Sequence, residues 1–455
     1  MKIVIVGAGK VGVALTRHLA VENRVTVIDQ NPHLVENIIN IYDVMGVCGN
    51  GASYDVQKEA DVEQADLLIA TTSSDEINIL TCLVAKKMGV QHTIARIRSP
   101  EYGRQLRFMR SELGLSMAIN PEAATAREIA RVLRFPTAMK LESFSKGRLE
   151  LVEYRVAEHT ALDGTRLSEL YRNFKVRVLI CAVARQGETI IPSGDFTLRA
   201  GDKIYLTAAP RELEKFFRLL GVFRARASSV MIVGASKMCY YLASELLEMG
   251  MSVKIIDQNE QRCVEMSEKL PRALVIVGDG TDSELLSEEG ISQTDAFVAI
   301  TGLDEANILM ALSAAKQSGD CCKVVAKINR KSLLELVSTE SLIDSVVSTG
   351  AVTTELILQY IRAMKNASAS KVKTLHCIVD EKVEALEFSV TPDISFAGVP
   401  LRDLNLKRGL LLAGIVRQNG QIVIPSGNDV LHLHDDVIVV TTDTQLEDLR
   451  DILAE

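Results

Sequence analysis

The sequence has no apolar run long enough to cross a membrane and no excess of basic charge. Its longest apolar runs, residues 178–184 and 410–416, fall far short of the roughly 18 residues that a membrane-spanning helix needs. Only four apolar residues directly precede Gly7, too few for the apolar core of a signal peptide. The formal net charge of -8 argues against a protein that tracks nucleic-acid phosphates. These absences predict a cytoplasmic protein that does not bind nucleic acid.

Cysteine pairs of the C-x-x-C type and common catalytic motifs are also missing. The eight cysteines are scattered through apolar surroundings, and only Cys321 and Cys322 are adjacent. We therefore expect reduced thiols in the core of a cytosolic protein. No H-E-x-x-H, G-x-S-x-G or P-loop motif occurs. His432 and His434 are predicted to face solvent from one strand, and because two ligands alone make a poor metal site, no metal is expected.

What the sequence does contain is an internal repeat. Residues 3–10, IVIVGAGK, recur as residues 230–237, VMIVGASK, and residues 75–78, DEIN, recur as residues 304–307, DEAN. The two copies stand about 230 residues apart along the whole chain. A chain of 455 residues is too long for one hydrophobic core, so the repeat predicts several domains.

Each copy changes from alternating strand and helix patterns to a strand-rich tail. The alternation predicts a Rossmann-like, doubly wound parallel sheet. The tail, with strand patterns at residues 149–156, 178–184 and 203–207 in the first copy, predicts a small α+β lobe. The strands predicted for the first sheet are residues 3–6, 25–28, 44–48, 67–71 and 93–97, and the helices are about residues 10–22, 31–41, 53–60, 75–88, 101–112 and 122–134. The predicted domains are a first N-lobe (1–135), a first C-lobe (136–221), a second N-lobe (228–367) and a second C-lobe (368–455).

The segment from Gly7 to Gly12, GAGKVG, has the spacing G-x-G-x-x-G between a predicted strand and a predicted helix. Such glycines let the backbone approach a pyrophosphate, whose charge is held by amides at the helix N-terminus. Asp29 ends the next strand, where its carboxylate can accept hydrogen bonds from both ribose hydroxyls of an adenosine. It would repel a 2'-phosphate, which disfavours NADP and leaves NAD(H), ADP and ATP as candidate ligands. The predicted binding residues of the loop are Gly7, Ala8, Gly9, Lys10 and Val11.

Further candidates follow the third, fourth and fifth predicted strands, because open parallel sheets bind ligands at the carboxyl ends of their strands. They are Asn50, Gly51, Thr72, Ser73 and Arg96. Thr72 and Ser73 are equally well explained as a cap for the helix that begins at Asp75. Arg96 is also explained by a surface or interface salt bridge.

The second copy departs from the loop pattern at two of its three glycines. Ser236 stands where the first copy has Gly9, and Cys239 stands where it has Gly12. The first change crowds a pyrophosphate, and the second separates helix from strand. We therefore expect tighter nucleotide binding at the first site, although an aspartate, Asp257, again ends the second strand. The candidate residues of the second site are Gly234, Ala235, Ser236, Lys237, Met238 and Asp257.

Nucleotide binding without catalysis is the expected function. A dehydrogenase must place an acid or base and a substrate anchor opposite its nicotinamide, and the sequence shows no such set of residues in either tail. Two alternatives stay open. One is an NAD-dependent oxidoreductase, and the other is a nucleotide-sensing subunit of some other transporter.

These residues resemble the TrkA family of Trk potassium uptake proteins, which carry tandem RCK units (regulators of potassium conductance). In the first copy the resemblance rests on residues 5–12, on residues 70–78, ATTSSDEIN, and on residues 94–102, IARIRSPEY. In the second copy it rests on Gly278 and Asp279, on residues 284–286, ELL, and on residues 304–307, DEAN. It spans nearly the whole chain, and the tandem arrangement is its most specific feature.

The resemblance implies a regulatory protein that is not an enzyme. Each copy would pair a nucleotide-binding N-lobe with an RCK C-lobe. The chain would form a homo-oligomer, a tetramer in the family, assembled as a ring at the inner face of the cell membrane beneath a potassium channel subunit of the TrkH type. The residues implied to contact NAD(H) or an adenine nucleotide are Gly7 to Val11, Asp29, Asn50, Gly51, Thr72, Ser73 and Arg96, and in the second copy Gly234 to Met238 and Asp257.

Overall fold

The computed structural model describes residues 1–102, 114–319, 322–337, 343–365, 372–379, 382–443, 446 and 448–454. The chain divides into two compact units, and both copies of the repeat contribute to each of them. The first unit comprises Met1–Ala130 and Ser228–Leu356, which hold most of the two predicted N-lobes. The second unit comprises Arg131–Ala227 and Ile357–Glu455, which hold the two predicted C-lobes.

The first N-lobe is built on a six-stranded parallel sheet. Its strands are β1 (Lys2–Val6), β2 (Arg24–Asp29), β3 (Met45–Cys48), β4 (Leu67–Ala70), β5 (His92–Arg96) and β6 (Met117–Ile119). They lie in the order β3-β2-β1-β4-β5-β6, which is that of a doubly wound sheet. Parallel pairing places Ile5 between Val27 and Ile69. All four residues of β4 are buried, as expected of a central strand with both faces covered.

Helices link these strands in the described part of the lobe. They are α1 (Lys10–Leu19), α2 (Pro32–Ile41), α3 (Tyr54–Glu59), α4 (Asp75–Lys87) and α5 (Pro121–Arg134). Asn31 caps α2 by accepting a hydrogen bond from the His33 amide, and Pro32 takes the first helical position, where its missing amide costs nothing. The five predicted strands are confirmed, β6 was not predicted, and most of the helix predicted at 101–112 lies outside the described residues.

The first C-lobe is an antiparallel sheet with two helices packed on it. The elements are β7 (Lys140–Phe144), β8 (Leu149–Arg155), α6 (Leu170–Phe174), β9 (Leu179–Arg185), β10 (Glu188–Ile190), β11 (Lys203–Ala208) and α7 (Pro210–Leu219). The strands lie in the order β10-β9-β11-β8-β7, which confirms the predicted strand-rich tail. Phe216 and Phe217 of α7 are fully buried. The ring centroids of Phe216 and Phe174 are 5.3 Å apart, and those of Phe217 and Tyr154 are 5.1 Å apart.

The second N-lobe repeats the first. Its strands are β12 (Ser229–Val233), β13 (Ser252–Asp257), β14 (Leu274–Val277), β15 (Ala296–Ala299), β16 (Lys323–Lys327) and β17 (Ser345–Val347). They form a parallel sheet of order β14-β13-β12-β15-β16-β17. Its helices are α8 (Lys237–Glu248), α9 (Glu260–Lys269), α10 (Ser283–Glu288), α11 (Asp304–Ser318), α12 (Lys331–Val337) and α13 (Thr349–Lys365). The predicted duplication of the Rossmann-like sheet is therefore confirmed.

The second C-lobe is again an antiparallel sheet, and the two C-lobe sheets share a core. Its strands are β18 (Val372–Ile378), β19 (Val383–Ser389), β20 (Leu410–Val416), β21 (Ile422–Val423) and β22 (Asp436–Thr441), in the order β18-β19-β22-β20-β21. Thr207 Oγ1 of the first C-lobe donates to the Ala413 carbonyl of the second at 2.7 Å. Glu142 Oε2 lies 3.0 Å from His376 Nδ1 between the same two sheets. The apolar part of this shared core includes Phe144, Leu149, Tyr205, Val383, Ile438 and Val440.

Two sequence predictions fail. Cys48 is exposed at the edge strand β3 and is not a core thiol, whereas Cys82, Cys181, Cys239, Cys263 and Cys322 are buried. His432 and His434 lie in the turn before β22 and not on a strand, and His434 adopts a positive φ of 67°.

Among the described residues, no helix is long and apolar enough to span a bilayer.

Candidate functional site

Close backbone contacts shape the glycine loop between β1 and α1. Gly7 has φ of +104°, and a Cβ at this position would lie 2.9 Å from the carbonyl carbon of Thr71. A Cβ at Gly12 would lie 1.8 Å from the Gly7 carbonyl oxygen. Only glycine therefore lets α1 begin so close to the strand, and the loop offers backbone groups at the carboxyl edge of the sheet.

Gly9 caps α1 without a side chain. It takes the N-cap position in an extended conformation and supplies no side-chain hydrogen bond. The first amides of a helix have no acceptor within the helix. A Cβ built on Gly9 would meet no atom within 4 Å. Open space therefore faces the positive end of the helix dipole, an arrangement that suits a phosphate.

Asp29, at the end of β2, ties the glycine loop to its neighbouring turn. Its Oδ2 accepts a hydrogen bond from the Ala8 amide at 2.6 Å, and its Oδ1 accepts one from the Asn31 amide at 2.9 Å. Each oxygen keeps a further lone pair, and the side chain is only half-buried, so ribose hydroxyls can still donate to it. Asp29 therefore has a structural role beside the binding role predicted from the sequence.

Asn50 and Gly51 follow β3 in a tight turn. Asn50 Oδ1 accepts from the Ala52 amide at 3.0 Å, and the Gly51 carbonyl accepts from Gln57 Nε2 at 2.7 Å. Asn50 is exposed, whereas Gly51 is buried. The turn therefore leaves the Asn50 side chain at the same edge of the sheet as the glycine loop.

A buried asparagine that the sequence analysis did not assign joins the ends of β4 and β5. Asn78 Oδ1 accepts from the Thr72 amide at 2.8 Å and from Thr72 Oγ1 at 2.7 Å. Asn78 Nδ2 donates to the Arg96 carbonyl at 2.9 Å. One side chain thus holds two of the predicted site residues in place. The signal that could have revealed it is the recurrence of D-E-x-N in both copies.

Asp75, three residues before this asparagine, holds the segment that follows β5. Its Oδ2 accepts from the amides of Arg98 at 2.9 Å and Ser99 at 2.7 Å. The Arg98 guanidinium in turn donates to the Ser73 carbonyl. The segments that follow β4 and β5 are therefore joined at the carboxyl edge of the sheet by the hydrogen bonds of Asp75, Asn78 and Arg98. We call these hydrogen-bonded segments the frame of the site.

The alternative role of Thr72 and Ser73 as a helix cap is wrong. Ser74 is the N-cap of α4, and its side chain accepts from the Ile77 amide at 3.2 Å. The Thr72 hydroxyl donates to Asn78 instead. Thr72 and Ser73 stay predicted ligand contacts at the end of β4.

Arg96 forms a salt bridge with Glu122 at the start of α5, with Nη2 and Oε1 3.3 Å apart. Arg96 therefore forms a salt bridge, as the alternative of a surface or interface salt bridge expected, and with side chains only 16% and 14% exposed this one is not at the surface. Burial lowers the pKa of the Arg96 guanidinium, and the charge of Glu122 opposes that shift. Arg96 Nε is buried without a hydrogen-bond partner among the described residues. A bound phosphate would compete with Glu122 for this cation.

The second copy reproduces the aspartate and asparagine contacts. Asp257 Oδ2 accepts from the Ala235 amide at 2.7 Å. Asn307 Oδ1 accepts from the Thr301 amide at 2.9 Å, and its Nδ2 donates to the Lys327 carbonyl at 2.8 Å. The frame around the two sites is therefore the same, and Lys327 takes the position of the first copy's arginine.

The copies differ at the helix N-terminus. Ser236 caps α8, and its Oγ accepts from the Cys239 amide at 3.4 Å. Gly234 keeps the positive φ, at 111°, while Lys237 is exposed and Met238 is buried. The serine hydroxyl thus occupies a helix amide of the second copy, whereas in the first copy Gly9 supplies no such side-chain bond. This contact supports the prediction that the second site is the weaker one.

Family models match this arrangement twice. The TrkA-N domain matches residues 3–121 and 230–349, and the TrkA-C domain matches residues 151–221 and 385–454. The chain belongs to the TrkA family. The glycine loop and Asp29 lie in the first TrkA-N match, and Ser236 and Asp257 lie in the second.

Relatives in the TrkA family match the chain over nearly its whole length. A "Trk system potassium uptake protein TrkA homolog" of Archaeoglobus fulgidus is 31% identical over 453 residues, covering 99% of this chain and 100% of the relative. The "Trk system potassium uptake protein TrkA" of Vibrio alginolyticus is 32% identical over 448 residues, covering 97% of this chain and 94% of the relative. The tandem arrangement is therefore shared with full-length relatives.

Solved structures share the fold at lower identity. The "GsuK channel bound to NAD" has a TM-score of 0.63 at 20% identity, covering 98% of this chain and 77% of that chain. The "Crystal Structure of the GsuK RCK domain" has a TM-score of 0.62 at 20% identity, covering 98% and 93%. This likeness confirms the predicted architecture of Rossmann-like N-lobes with RCK C-lobes.

Asn78→Ala in the first TrkA-N domain is expected to lower the free energy of unfolding by about 2 kcal/mol, because it leaves the partly buried Thr72 amide and Arg96 carbonyl without their partner. Chemical denaturation measures that loss, and nucleotide titration of the same variant should show weaker binding at the first site. Asn307→Ala is the matched control in the second domain. It should lower the free energy of unfolding by a similar amount and leave first-site affinity within about threefold. Equal losses of first-site affinity in the two variants would contradict the role of Asn78 in holding the first site.

Gly9→Ser is expected to weaken nucleotide binding at the first TrkA-N site roughly tenfold, because the new hydroxyl would compete with phosphate for the helix amides. Stability should change by only a few tenths of a kcal/mol, since there is open space for the side chain. Calorimetric titration and denaturation separate the two effects. The reverse change, Ser236→Gly, should strengthen binding at the second site, and unaltered affinity in both variants would refute the role of the cap.

Proposed function

We propose that the chain is a nucleotide-binding regulatory subunit of a membrane potassium uptake system. The observation that carries the proposal is the first TrkA-N domain, in which a glycine loop, an open helix N-terminus and Asp29 converge at one edge of the sheet. Full-length relatives are named Trk system potassium uptake proteins. A subunit that regulates potassium uptake by binding a nucleotide accounts both for this site and for membership of that family.

The proposed regulatory ligand is NAD(H), ADP or ATP. Asp29 can accept hydrogen bonds from free ribose hydroxyls and would repel a 2'-phosphate, so NADP fits poorly. The structurally similar GsuK proteins include one bound to NAD and one bound to ADP, the latter with a TM-score of 0.51 at 16% identity, covering 79% of this chain and 69% of that one. Gly7 to Val11, Asn50, Gly51, Thr72, Ser73 and Arg96 complete the proposed contacts of the first site.

The proposed mechanism is a population shift without catalysis. A nucleotide that binds one conformation of the assembly better than another stabilises that conformation by the difference in binding free energy. A nucleotide with equal affinity for both would change nothing. The proposal therefore needs site residues that bind and orient the ligand, and it assigns no reaction to them.

The proposed partner is a membrane potassium channel subunit of the TrkH type. The chain would work at the inner face of the cell membrane as a peripheral protein, assembled as a homotetramer. Sequence identity of about 30% over whole relatives of the Trk system supports this partner class.

Potassium uptake tests the proposal directly. A strain that keeps its membrane transporter but lacks its own TrkA protein should regain growth at low potassium when it expresses this chain. The Asp29→Ala chain, expressed at the same level, should restore growth poorly and should lose the response of uptake to nucleotide. Growth that neither chain restores in a strain carrying the chain's own membrane partner would overturn the proposal.

A further inference from the structure

Tyr241 of the second copy is hydrogen-bonded to the first N-lobe. It lies on α8, the helix that follows the second glycine loop. Its hydroxyl donates to the Arg98 carbonyl at 3.2 Å and accepts from Asn120 Nδ2 at 2.8 Å. The side chain is half-buried. The phosphate-loop helix of the second copy is therefore joined to segments that border the first site.

Both partners of Tyr241 flank the salt bridge of the first site. Arg98 follows Arg96 by two residues, and Asn120 precedes Glu122 by two. Asn120 Nδ2 also lies 3.5 Å from the Arg98 carbonyl, so the tyrosine hydroxyl completes a small polar triangle. Tyr241 is therefore bonded to the two segments that carry the ends of the salt bridge.

Glu122 also acts on a cation of the second copy. Lys327 ends β16 as Arg96 ends β5, but the second residue of α13 is Gly350 where the second residue of α5 is Glu122. Burial lowers the pKa of the Lys327 ammonium, while the negative charges of Asp304 and Glu122 oppose that shift. The carboxylate of Glu122 therefore pairs with Arg96 and also contributes to the electrostatic environment of Lys327, and both of these cations are partly buried.

Glu122 has capacity for this second interaction. Its Oε1 takes the Arg96 contact, while its Oε2 is buried and has no hydrogen-bond partner among the residues that the structure describes. The residue at the position of Tyr241 in α1 is Ala14, which has no hydroxyl. The second copy thus reaches the border of the first site through the Tyr241 hydroxyl, whereas the first copy has no hydroxyl at the equivalent position of α1.

We propose that the second N-lobe senses whether the first nucleotide site is occupied, through the hydrogen bonds of Tyr241, assisted by the charges of Arg96, Glu122 and Lys327. This inference rests on the proposed nucleotide binding at the first site. A ligand phosphate that draws Arg96 away leaves Glu122 to interact more strongly with Lys327. The segments that carry Arg98 and Asn120 then move relative to the Tyr241 hydroxyl. The two hydrogen bonds of Tyr241 pass this movement to α8.

Hydrogen–deuterium exchange of the α8 peptide in the full-length protein, with ADP or NAD+ added, tests this coupling. Every chain carries Asp257→Ala, which disables the ribose carboxylate of the second site, so that a change in α8 reports ligand at the first site. Nucleotide should change α8 exchange in this background and in its Tyr240→Phe control, which keeps both bonds of Tyr241. Tyr241→Phe should reduce the nucleotide-induced change at least threefold, while first-site affinity stays within about threefold.

Lys327→Gln is the second test variant, because it breaks the charge link without touching the tyrosine. Loss of the α8 response in either variant with nucleotide affinity kept would support the proposal. An α8 response that survives in both, or that never occurs although nucleotide binds, would overturn it. Failure of ADP and NAD+ to bind at all would overturn the proposed function as well, and the titration distinguishes that outcome.

Discussion

Gly12→Ala is expected to abolish measurable nucleotide binding at the first site and to lower the free energy of unfolding by about 3 kcal/mol. The added Cβ would lie 1.8 Å from the Gly7 carbonyl oxygen, so α1 would have to move away from β1. That movement would carry the helix amides out of the position that suits a phosphate. Chemical denaturation and calorimetric titration of the purified variant measure the two losses.

Gly9→Ala is the matched control for this substitution. Its Cβ would meet nothing within 4 Å, so its stability should stay within about 1 kcal/mol of the parent chain. Gly12 and Gly9 belong to the same loop and differ in the space around them. A Gly12→Ala chain as stable as Gly9→Ala and with intact binding would show that the close helix start is unimportant.

Asp29→Ala is expected to weaken nucleotide binding at the first site by at least about tenfold, or ~1.4 kcal/mol. The substitution removes the acceptor for ribose hydroxyls and also frees the Ala8 and Asn31 amides, which now bond to the carboxylate at 2.6 and 2.9 Å. Both effects act on the ligand-bound state, since the loop amides must keep their orientation to meet a phosphate. Calorimetry of each variant with ADP and NAD+ gives the affinities.

Asp257→Ala separates the ligand effect from general destabilisation. Asp257 makes the equivalent bonds to Ala235 and Asn259, at 2.7 and 2.8 Å, so its removal should cost similar stability. First-site affinity should nevertheless stay within about threefold of the parent chain. Equal losses of affinity from the two substitutions would contradict the division into a strong and a weak site.

The sequence predicted the central strands well because their apolar runs are buried on both faces. β1 and β4 are short, almost wholly buried and bounded by glycine or polar residues, so pattern and structure agree. β6, of three residues, and β10, with only exposed and half-buried residues, are too short or too polar for such a pattern. The prediction for His432 and His434 failed because alternation alone does not distinguish a strand from a turn.

The glycine loop and Asp29 were predictable because their chemistry is local and their spacing is fixed by the fold. The partner of Arg96 was not, since Glu122 lies 26 residues further along and its position depends on how α5 begins. The role of Asn78 was also hidden, because its bonds run to backbone groups of β4 and β5 that no side-chain pattern marks. Tertiary contacts of this kind follow from packing rather than from local sequence.

The two copies differ at several candidate site residues, while the hydrogen-bonded frame around those residues is the same. Asn78 and Asn307 make the same backbone contacts. Ser236 replaces a glycine at the helix cap, and Lys327 and Gly350 replace the arginine and glutamate of the first-site salt bridge. The duplicated fold is the same while candidate site residues differ, and we therefore propose different roles for the two N-lobes.

Calorimetric titration of the unaltered full-length protein with NAD+, NADH, ADP and ATP shows whether the chain has one strong nucleotide site, because it gives affinity and stoichiometry per chain together. We expect tight binding of at least one of these nucleotides at one site per chain, with any second site at least about tenfold weaker and no ligand consumed. Two equal sites per chain, or no binding of any of the four, would contradict it.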